Sequence, residues 1–333
     1  MSDELQRIER VARQFARLLP PERFELRTLG TVTARERSFP LYALVIGAAD
    51  RSRPTFGLFA GVHGLERVGT HVALAYLESL AARAEWEKET RRALKRARLV
   101  CMPLINPAGM CFGTRSNGNG VDLMRNAPIE ADWAPPLVGG QRLSSALPWY
   151  RGSGQLEREA LALIELVEQE LFGARAAIAL DIHSGFGFRD RLWYPYARTQ
   201  QPFELLAEVE ALTDLLDRAY PHHIYYVEQQ SRSYTAHGDL WDYLFELRPG
   251  AQPFLPFTLE IGSWRWVRKN PWQLLSAAGV FNPVKRHRYD RTMRRHLALI
   301  DFFFRAARSS RRWMPTAAAG LSHRRSESDD EAV

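Results

Sequence analysis

Cysteine is scarce in this chain of 333 residues, which holds only Cys101 and Cys111. Two thiols in a chain of this length argue against a disulfide framework and favour a reducing compartment. Long apolar runs are missing as well, because no window approaches the ~20 apolar residues of a membrane span. The amino terminus is charged and lacks the apolar run and cleavage site of a secretory signal. We therefore expect a cytoplasmic protein without a membrane partner.

Positive charge is in excess only at the end of the chain. The net charge is +7, yet residues 284–333 hold twelve basic and six acidic side chains, and the preceding 283 residues hold 33 and 32. The body is thus nearly neutral, which disfavours nucleic acid as a partner. A solvated helix face and a loose tail account for the excess, although a nucleic-acid-binding tail stays open. The oligomeric state is not indicated.

Short apolar runs alternate with longer helical patterns along the chain, as in βαβ units. This alternation predicts a three-layer α/β/α fold with a mixed, mostly parallel central sheet. We expect an N-terminal helix and strand pair over residues 1–53, packed on a catalytic domain over 54–308. Residues 309–333 are predicted to be a disordered tail. Residues 127–153, rich in proline, glycine and serine, are predicted to form a long loop, and loops of that length are usually functional or mobile.

Polar side chains follow three of the apolar runs at the point where each strand should end. His63 and Glu66 stand three apart after TFGLFAGV, His183 ends AAIALDIH, and Glu260 ends FLPFTLE. Ligand sites of open α/β sheets gather beyond the carboxyl ends of the strands, so these groups should converge. Two histidines, one carboxylate and a water make up a catalytic zinc site.

The same pattern suggests how a zinc site here would work. Zinc lowers the pKa of a water toward ~7, and a nearby carboxylate can then take the proton. A metal-binding histidine usually donates its second ring nitrogen to a carboxylate. Asp122, in NGNGVDLMRN, is the candidate partner of His63.

Five segments in order resemble the zinc metallocarboxypeptidases, the carboxypeptidase A-like peptidases. These segments are HGLE, NPAGMCFGTRSNGNGVDLMRN, DIHSG, SYTAHGDLWD and FTLE, and the resemblance runs from about residue 54 to 300. It implies the fold of that family, one zinc ion per chain, and His63, Glu66 and His183 as its ligands.

The resemblance also implies roles for four further residues. Glu260 would activate the water and pass its proton to the leaving amine, and Arg115 would stabilise the oxyanion. Arg125 would bind the C-terminal carboxylate of the substrate, a task that suits a planar guanidinium. Tyr234 would cap the substrate from a mobile loop.

Two positions bear on the substrate. Met124 stands where the family has an asparagine beside the arginine, and a thioether cannot supply the amide hydrogen bond to a terminal carboxylate. The substrate carboxylate could therefore be held more loosely, or the substrate could differ. Trp241 lies near the expected specificity pocket, and a bulky neutral side chain there argues against C-terminal lysine or arginine.

We therefore expect a zinc-dependent hydrolase of amide bonds that releases a C-terminal residue from short peptides. The alternative is an N-acyl-amino-acid deacylase of the related succinylglutamate desuccinylase and aspartoacylase type, which shares the ligand pattern. SYTAHGDLWD favours the peptidase and Met124 favours the deacylase. A non-catalytic zinc- or peptide-binding protein is a third reading, which Glu260 beside all three ligands disfavours.

Overall fold

A computed structural model of the protein describes residues 3–250 and 252–315. Within these residues, eight strands form one mixed sheet in the order β1-β2-β4-β3-β5-β8-β6-β7. The strands are β1 (Phe24–Ala34), β2 (Arg37–Gly47), β3 (Thr55–Ala60), β4 (Arg98–Met102), β5 (Ala177–Ser184), β6 (Arg191–Tyr194), β7 (Tyr226–Gln229) and β8 (Phe254–Ile261).

Ten α-helices surround the sheet in the described part of the chain. They are α1 (Asp3–Leu18), α2 (Arg67–Trp86), α3 (Lys88–Arg96), α4 (Pro107–Phe112), α5 (Arg158–Glu170), α6 (Leu206–Ala219), α7 (Leu240–Leu247), α8 (Trp264–Lys269), α9 (Ala277–Phe281) and α10 (Arg286–Arg308). None of the helices in the described ranges is long and apolar enough to cross a membrane.

The centre of the sheet is a block of four parallel strands, β4, β3, β5 and β8. Every residue of these strands is buried, because helices cover both faces. In β3, Phe56 packs against Phe303 of α10 and Phe59 packs against Trp241 of α7. Side chains of opposite parity point to opposite faces of a strand, so α10 and α7 lie on different sides. The predicted α/β/α layering is confirmed.

The first 53 residues extend this sheet. The hairpin β1–β2 pairs in antiparallel fashion with β4 through β2. Helix α1 buries an apolar stripe at helical spacing and packs against α2. The stripe consists of Leu5, Ile8, Val11, Ala12 and Phe15. The helix and strand pair predicted over residues 1–53 therefore form the outer edge of the same domain.

The end of the chain is ordered further than the sequence indicated. Helix α10 ends at Arg308, and Ser310–Arg312 form a short 3-10 helix. Trp313 then turns back and its Nε1 donates to the carbonyl of Ala306 at 2.8 Å. The disordered tail predicted over residues 309–333 therefore begins too early in the prediction, because the hydrogen bond of Trp313 holds the first of these residues against α10. Residues 316–333 lie outside the described ranges.

The predicted long loop over residues 127–153 holds no helix or strand, only an isolated bridge between Gln141 and Tyr150. It is nevertheless held by hydrogen bonds of side chains and of the backbone. The guanidinium of Arg151 donates to both carboxylate oxygens of Glu130 at 2.8 and 2.9 Å. The backbone N–H of His237 donates to the carbonyl of Gly139 at 2.8 Å. The loop is therefore bound to the chain around His237.

A buried carboxylate joins the first helix to the body. Glu4 of α1 accepts hydrogen bonds from Arg67 and from His71 Nε2, both on α2. Burial alone would raise the pKa of Glu4, but the hydrogen bond from His71 and the charge of Arg67 lower it to about 2. A lowered pKa means that the ionised carboxylate stabilises the folded chain above its unfolded pKa, and that this contribution fades as the pH falls toward 2.

Replacing Glu4 by glutamine should therefore lower the free energy of unfolding at neutral pH by about 1–3 kcal/mol, the cost of removing a charged partner. Urea unfolding of both proteins should show this difference shrinking as the pH drops below ~4.5. Asp3→Asn, on an exposed position of the same helix, controls for net charge. A difference for Glu4→Gln that is constant from neutral to acidic pH would contradict this account.

Candidate active site

The parallel strands bring the polar residues predicted from the sequence to one edge of the sheet. His63 lies three residues beyond the end of β3, and β3 pairs with β5 up to Ala60 and Ile182. His183, the next residue of β5, is the direct partner of Glu260 in β8. Strand pairing alone therefore sets these groups side by side.

Three of these side chains form a compact buried cluster. His63 Nδ1 lies 2.8 Å from Glu66 Oε1, and His183 Nδ1 lies 3.4 Å from Glu66 Oε2. The two Nδ1 atoms face each other at 3.3 Å. His63, Glu66 and His183 are the group in the described residues whose nitrogen and oxygen atoms could together hold a metal ion.

The cluster has the dimensions of a zinc site. Bonds of about 2.0–2.1 Å in tetrahedral geometry place neighbouring ligand atoms about 3.3 Å apart. The observed separations of 2.8, 3.3 and 3.4 Å bracket that value. Two imidazoles and a carboxylate are also the donor set that zinc takes in catalytic sites. The residues present fit the ion.

Each histidine is oriented by a carboxylate on its other ring nitrogen. His63 Nε2 lies 3.1 Å from Asp122 Oδ1, as the sequence predicted. His183 Nε2 lies 2.8 Å from Asp181 Oδ2, which also accepts from Trp241 Nε1 at 3.0 Å. Such contacts leave Nδ1 free to bind a metal.

Asp181 was missed by the sequence reasoning, although a signal was present. It is a lone charge in the apolar run AIALDI, and it stands two residues before His183. Residues two apart in a strand share a face, so the pair could have been predicted.

The charges of the cluster stabilise one another. Burial alone would raise the pKa of Glu66, but the charge of His63 and hydrogen bonds with both histidines lower it below its usual value. Burial opposes a charged His183, yet Asp181 and Glu66 raise its pKa well above the usual value. Positive charge is thus favoured at the centre of the cluster, where a cation would replace the protons.

Arg115 lies beside the cluster because the chain before it is tightly tethered. Asn106 caps α4 by accepting from the N–H of Gly109, and its amide donates to the carbonyl of Val62 next to His63. A side chain on Gly64 would collide with the backbone of Gly109, so this approach requires glycine. Arg115 Nε then donates to Asp122 Oδ2 at 2.9 Å, and Nη1 donates to Glu66 Oε1 at 3.3 Å.

Arg125 and Tyr234 meet on the other side of the cavity. Arg125 is buried, and its Nη2 donates to the Tyr234 hydroxyl at 3.4 Å. The two segments touch at Gly238, where a Cβ would overlap the carbonyl of Arg125 and where φ is +70°. Met124 is buried beside Arg125 and lines the same cavity. The tyrosine ring also packs against Phe186 and Trp193 at 5.7 and 5.8 Å between ring centres.

Glu260 lines the same cavity as Arg115 and Arg125. Its Oε1 accepts from the backbone N–H of Phe186 at 2.9 Å. Burial, followed by the negative charge of Glu66, raises the pKa of Glu260 to about 8. A raised pKa indicates a carboxylate that accepts a proton readily near neutral pH.

One cavity of about 360 Å³ is lined by the three clustered side chains, both arginines, Met124, Tyr234 and Glu260, whereas Asp122 and Asp181 lie behind the two histidines. Its wall is largely aromatic and apolar, with Trp149, Phe186, Trp193, Trp264 and Phe281 contributing rings. The loop over residues 127–153 supplies Val138 and Trp149 to this wall. Trp241, placed near the specificity pocket by the sequence reasoning, is not among the lining residues because its indole is turned inward to Asp181.

A larger cavity of about 500 Å³ lies elsewhere, between the end of α6 and the middle of α10. Its wall includes His222 and His223 but no carboxylate, so it lacks the donor set of a zinc site. The chemistry therefore belongs to the smaller cavity.

Comparison with known families gives one match, over residues 10–262, to the family model described as zinc carboxypeptidase. That range covers most of the chain and includes every residue of the cavity discussed so far except Trp264 and Phe281. No curated protein gives a sequence match.

Several solved structures share the fold at low sequence identity. Bovine thrombin-activatable fibrinolysis inhibitor, in complex with tick carboxypeptidase inhibitor, matches with a TM-score of 0.67 and 17% identity over 92% of this chain and 97% of its own. Carboxypeptidase A from Helicoverpa armigera matches with a TM-score of 0.66 and 20% identity, over 91% and 71%. A metallo-carboxypeptidase from Burkholderia cenocepacia matches with a TM-score of 0.51 and 17% identity, over 89% and 69%.

The buried contact between Asp181 and His183 generates a prediction about metal affinity. In Asp181→Asn the oxygen that accepts from both His183 and Trp241 loses its negative charge, so the His183 ring is held less firmly and is a weaker ligand. The affinity for zinc should fall about 10- to 100-fold. Competition with a chromogenic chelator measures it. Asp217→Asn is the matched control, because Asp217 contacts His223 Nε2 on the surface. Equal zinc affinity of Asp181→Asn and the parent protein would contradict the prediction.

Proposed function

The chain belongs to the zinc carboxypeptidase family and is a metallopeptidase, and we propose that it releases single C-terminal residues from short peptides with one zinc ion held by His63, Glu66 and His183. The observation that carries this proposal is the position of Arg125. Its guanidinium is buried, lines the same cavity as the three proposed ligands, and has no carboxylate within 4.0 Å among the described residues.

An unpaired buried arginine needs an anionic partner. Leaving a charge without one in the interior costs several kcal/mol, about the cost measured when one member of a buried pair is removed. A substrate carboxylate entering the cavity would supply that partner in bidentate form. The Tyr234 hydroxyl, in contact with Arg125, would close over the same group. These contacts select peptides with a free C-terminus.

Zinc, when bound, supplies Lewis-acid chemistry: it polarises a carbonyl oxygen and lowers the pKa of water to about 7. The residues of the chain supply the rest. Glu260 takes the proton of the attacking water and passes it to the leaving amine nitrogen. Arg115, held by Asp122 and Glu66, directs its guanidinium at the oxygen that gains negative charge. The peptide bond breaks when the nitrogen has received the proton.

The cavity wall bears on which side chain is released. Among the described residues, the acidic side chains that line it are Glu66 and Glu260, and both have roles at the proposed point of cleavage. Trp193, Phe186 and Thr258 offer an aromatic and apolar surface without charge. We therefore favour a neutral, apolar C-terminal side chain over lysine or arginine.

The deacylase alternative is not favoured, because the family match is to the peptidases.

The proposed base can be tested by Glu260→Gln. The amide cannot take a proton but keeps the shape of the side chain, so kcat should fall by about 10²–10⁴-fold. Because Glu260 is not among the proposed ligands, zinc content by elemental analysis should stay at the parent level. Glu246→Gln, at a surface pair with Arg198, is the control and should keep full activity. Undiminished turnover by Glu260→Gln would remove Glu260 as the base.

The carboxylate site can be tested by Arg125→Ala. KM for peptides with a free C-terminus should rise at least tenfold, because the variant loses a charge-assisted bidentate contact worth about 1.5–3 kcal/mol. Peptides with an amidated C-terminus should bind the parent and the variant equally weakly. Arg142→Ala, in the neighbouring loop, is the control. Equal effects on free and amidated peptides would show that Arg125 does not bind this group.

A further inference from the structure

One stretch beside the cavity, residues 264–288, exposes several large apolar side chains, and we call it the rim segment. It comprises α8, the 3-10 helix Pro271–Leu275, α9 and the first turn of α10. Its exposed apolar side chains are Trp264, Trp272, Leu274, Leu275 and Val284. Apolar residues scattered singly on a surface are ordinary, but five within 21 residues of sequence mark an interaction surface.

The apolar side chains of the rim segment are exposed although hydrogen bonds hold its backbone to the rest of the protein. Asn282 Oδ1 accepts from the N–H of Val68 at 2.9 Å, and its amide donates to the carbonyl of Leu65 at 2.7 Å. These bonds fasten the rim segment to the turn that carries Glu66. Within the segment, the Gln273 amide donates to the carbonyl of Gly279 at 2.8 Å. The backbone is thus held in place while the apolar side chains point away from it.

The 3-10 helix shows this division most clearly. Gln273 is buried, whereas Trp272 and Leu275 are 78% and 81% exposed. Residues three apart eclipse each other in a 3-10 helix, so Trp272 and Leu275 share one outward face. Trp266, by contrast, is buried. The segment therefore places one tryptophan in the core and leaves Trp272 and Leu275 in solvent.

Charge on the rim segment has a single sign. The rim segment, residues 264–288, contains six lysines and arginines and no acidic residue. Five of the six form no ion pair in the described part of the chain: Arg268, Lys269, Lys285, Arg286 and Arg288. Unpaired basic side chains beside exposed tryptophan and leucine make an amphipathic, cationic surface.

We propose that the rim segment docks the protein on the surface of an anionic lipid bilayer. Tryptophan partitions to the boundary between headgroups and acyl chains, leucine and valine enter the apolar layer, and lysine and arginine pair with anionic headgroups. A second copy of the chain fits less well, because a symmetric contact would place like charges together. Nucleic acid fits less well, because Leu274, Leu275 and Val284 offer it no electrostatic contact.

The position of the segment connects this surface to the cavity. Trp264 and Phe281 lie in the cavity wall, while Trp272 and Leu275 face solvent. Docking would therefore hold the cavity close to the bilayer. The expectation of no membrane partner rested on the lack of a spanning segment, and a peripheral contact needs none.

The test is cosedimentation of the full chain with vesicles of phosphatidylcholine alone or mixed with phosphatidylglycerol. We expect at least tenfold stronger binding to the mixed vesicles, weakened by added salt. Trp272→Ser/Leu275→Ser should reduce binding to the mixed vesicles at least tenfold, and Lys285→Glu/Arg286→Glu should do the same. These residues do not line the cavity, so cleavage of a soluble peptide should be unchanged and reports correct folding.

Matched controls lie at the far end of α2, a helix of 20 residues that extends about 30 Å from the cavity, and in α3, which follows it. Trp86 is 72% exposed, so Trp86→Ser matches the loss of an exposed tryptophan. Lys88→Glu/Lys95→Glu matches the charge reversal at two exposed positions. Both controls should bind the mixed vesicles as the parent does.

Three results would overturn the proposal. The first is equal sedimentation with neutral and mixed vesicles, or binding that Trp272→Ser/Leu275→Ser does not weaken. The second is a dimer, detected by light scattering, that the same variant dissociates, which would assign the surface to a second copy. The third is salt-dependent binding to duplex DNA, stronger than to the mixed vesicles, that Lys285→Glu/Arg286→Glu abolishes.

Discussion

Parallel pairing of β5 with β3 on one side and β8 on the other is the constraint on which the site depends. The register sets Ala60 against Ile182 and His183 against Glu260, so the chain leaves all three strands at one edge of the sheet. These strands are buried on both faces, and shifting one of them by a residue would exchange the side chains packed on its two faces and turn its polar end away from the site. Packing of the core therefore fixes the ligand geometry, and the proposed ligands need little flexibility of their own.

Burying so much charge at that edge requires a compensating network. A chain of contacts runs from Asp122 through His63, Glu66 and His183 to Asp181. Every member is buried, and an isolated charge there would be prohibitively costly. A divalent cation at the centre would balance the carboxylates on either side, which fits a metal site better than an ordinary set of ion pairs.

The sequence predicted most of this arrangement because polar side chains at strand ends stand out against apolar runs. His63, His183 and Glu260 each follow such a run, and the order of motifs pointed to a family that the comparison confirms. What it could not predict depends on which way a side chain turns. Trp241 faces Asp181 and not the cavity, and Trp313 folds back on α10 to order residues expected in the tail. Both depend on tertiary contacts that leave no local pattern.

The rim segment shows why composition alone was insufficient there as well. Three of its six basic residues, Lys285, Arg286 and Arg288, fall in the surplus that was assigned to a solvated helix face, and the other three were counted in the nearly neutral body. Its three tryptophans are indistinguishable in the sequence, yet one is buried while Trp264 and Trp272 are exposed. The structure separates them, because α8 and the 3-10 helix after it turn different faces to the core. One side of this segment forms part of the cavity wall, and the other exposes tryptophan, leucine and unpaired basic residues. The proposed docking on a bilayer would therefore also set which substrates come close to the cavity.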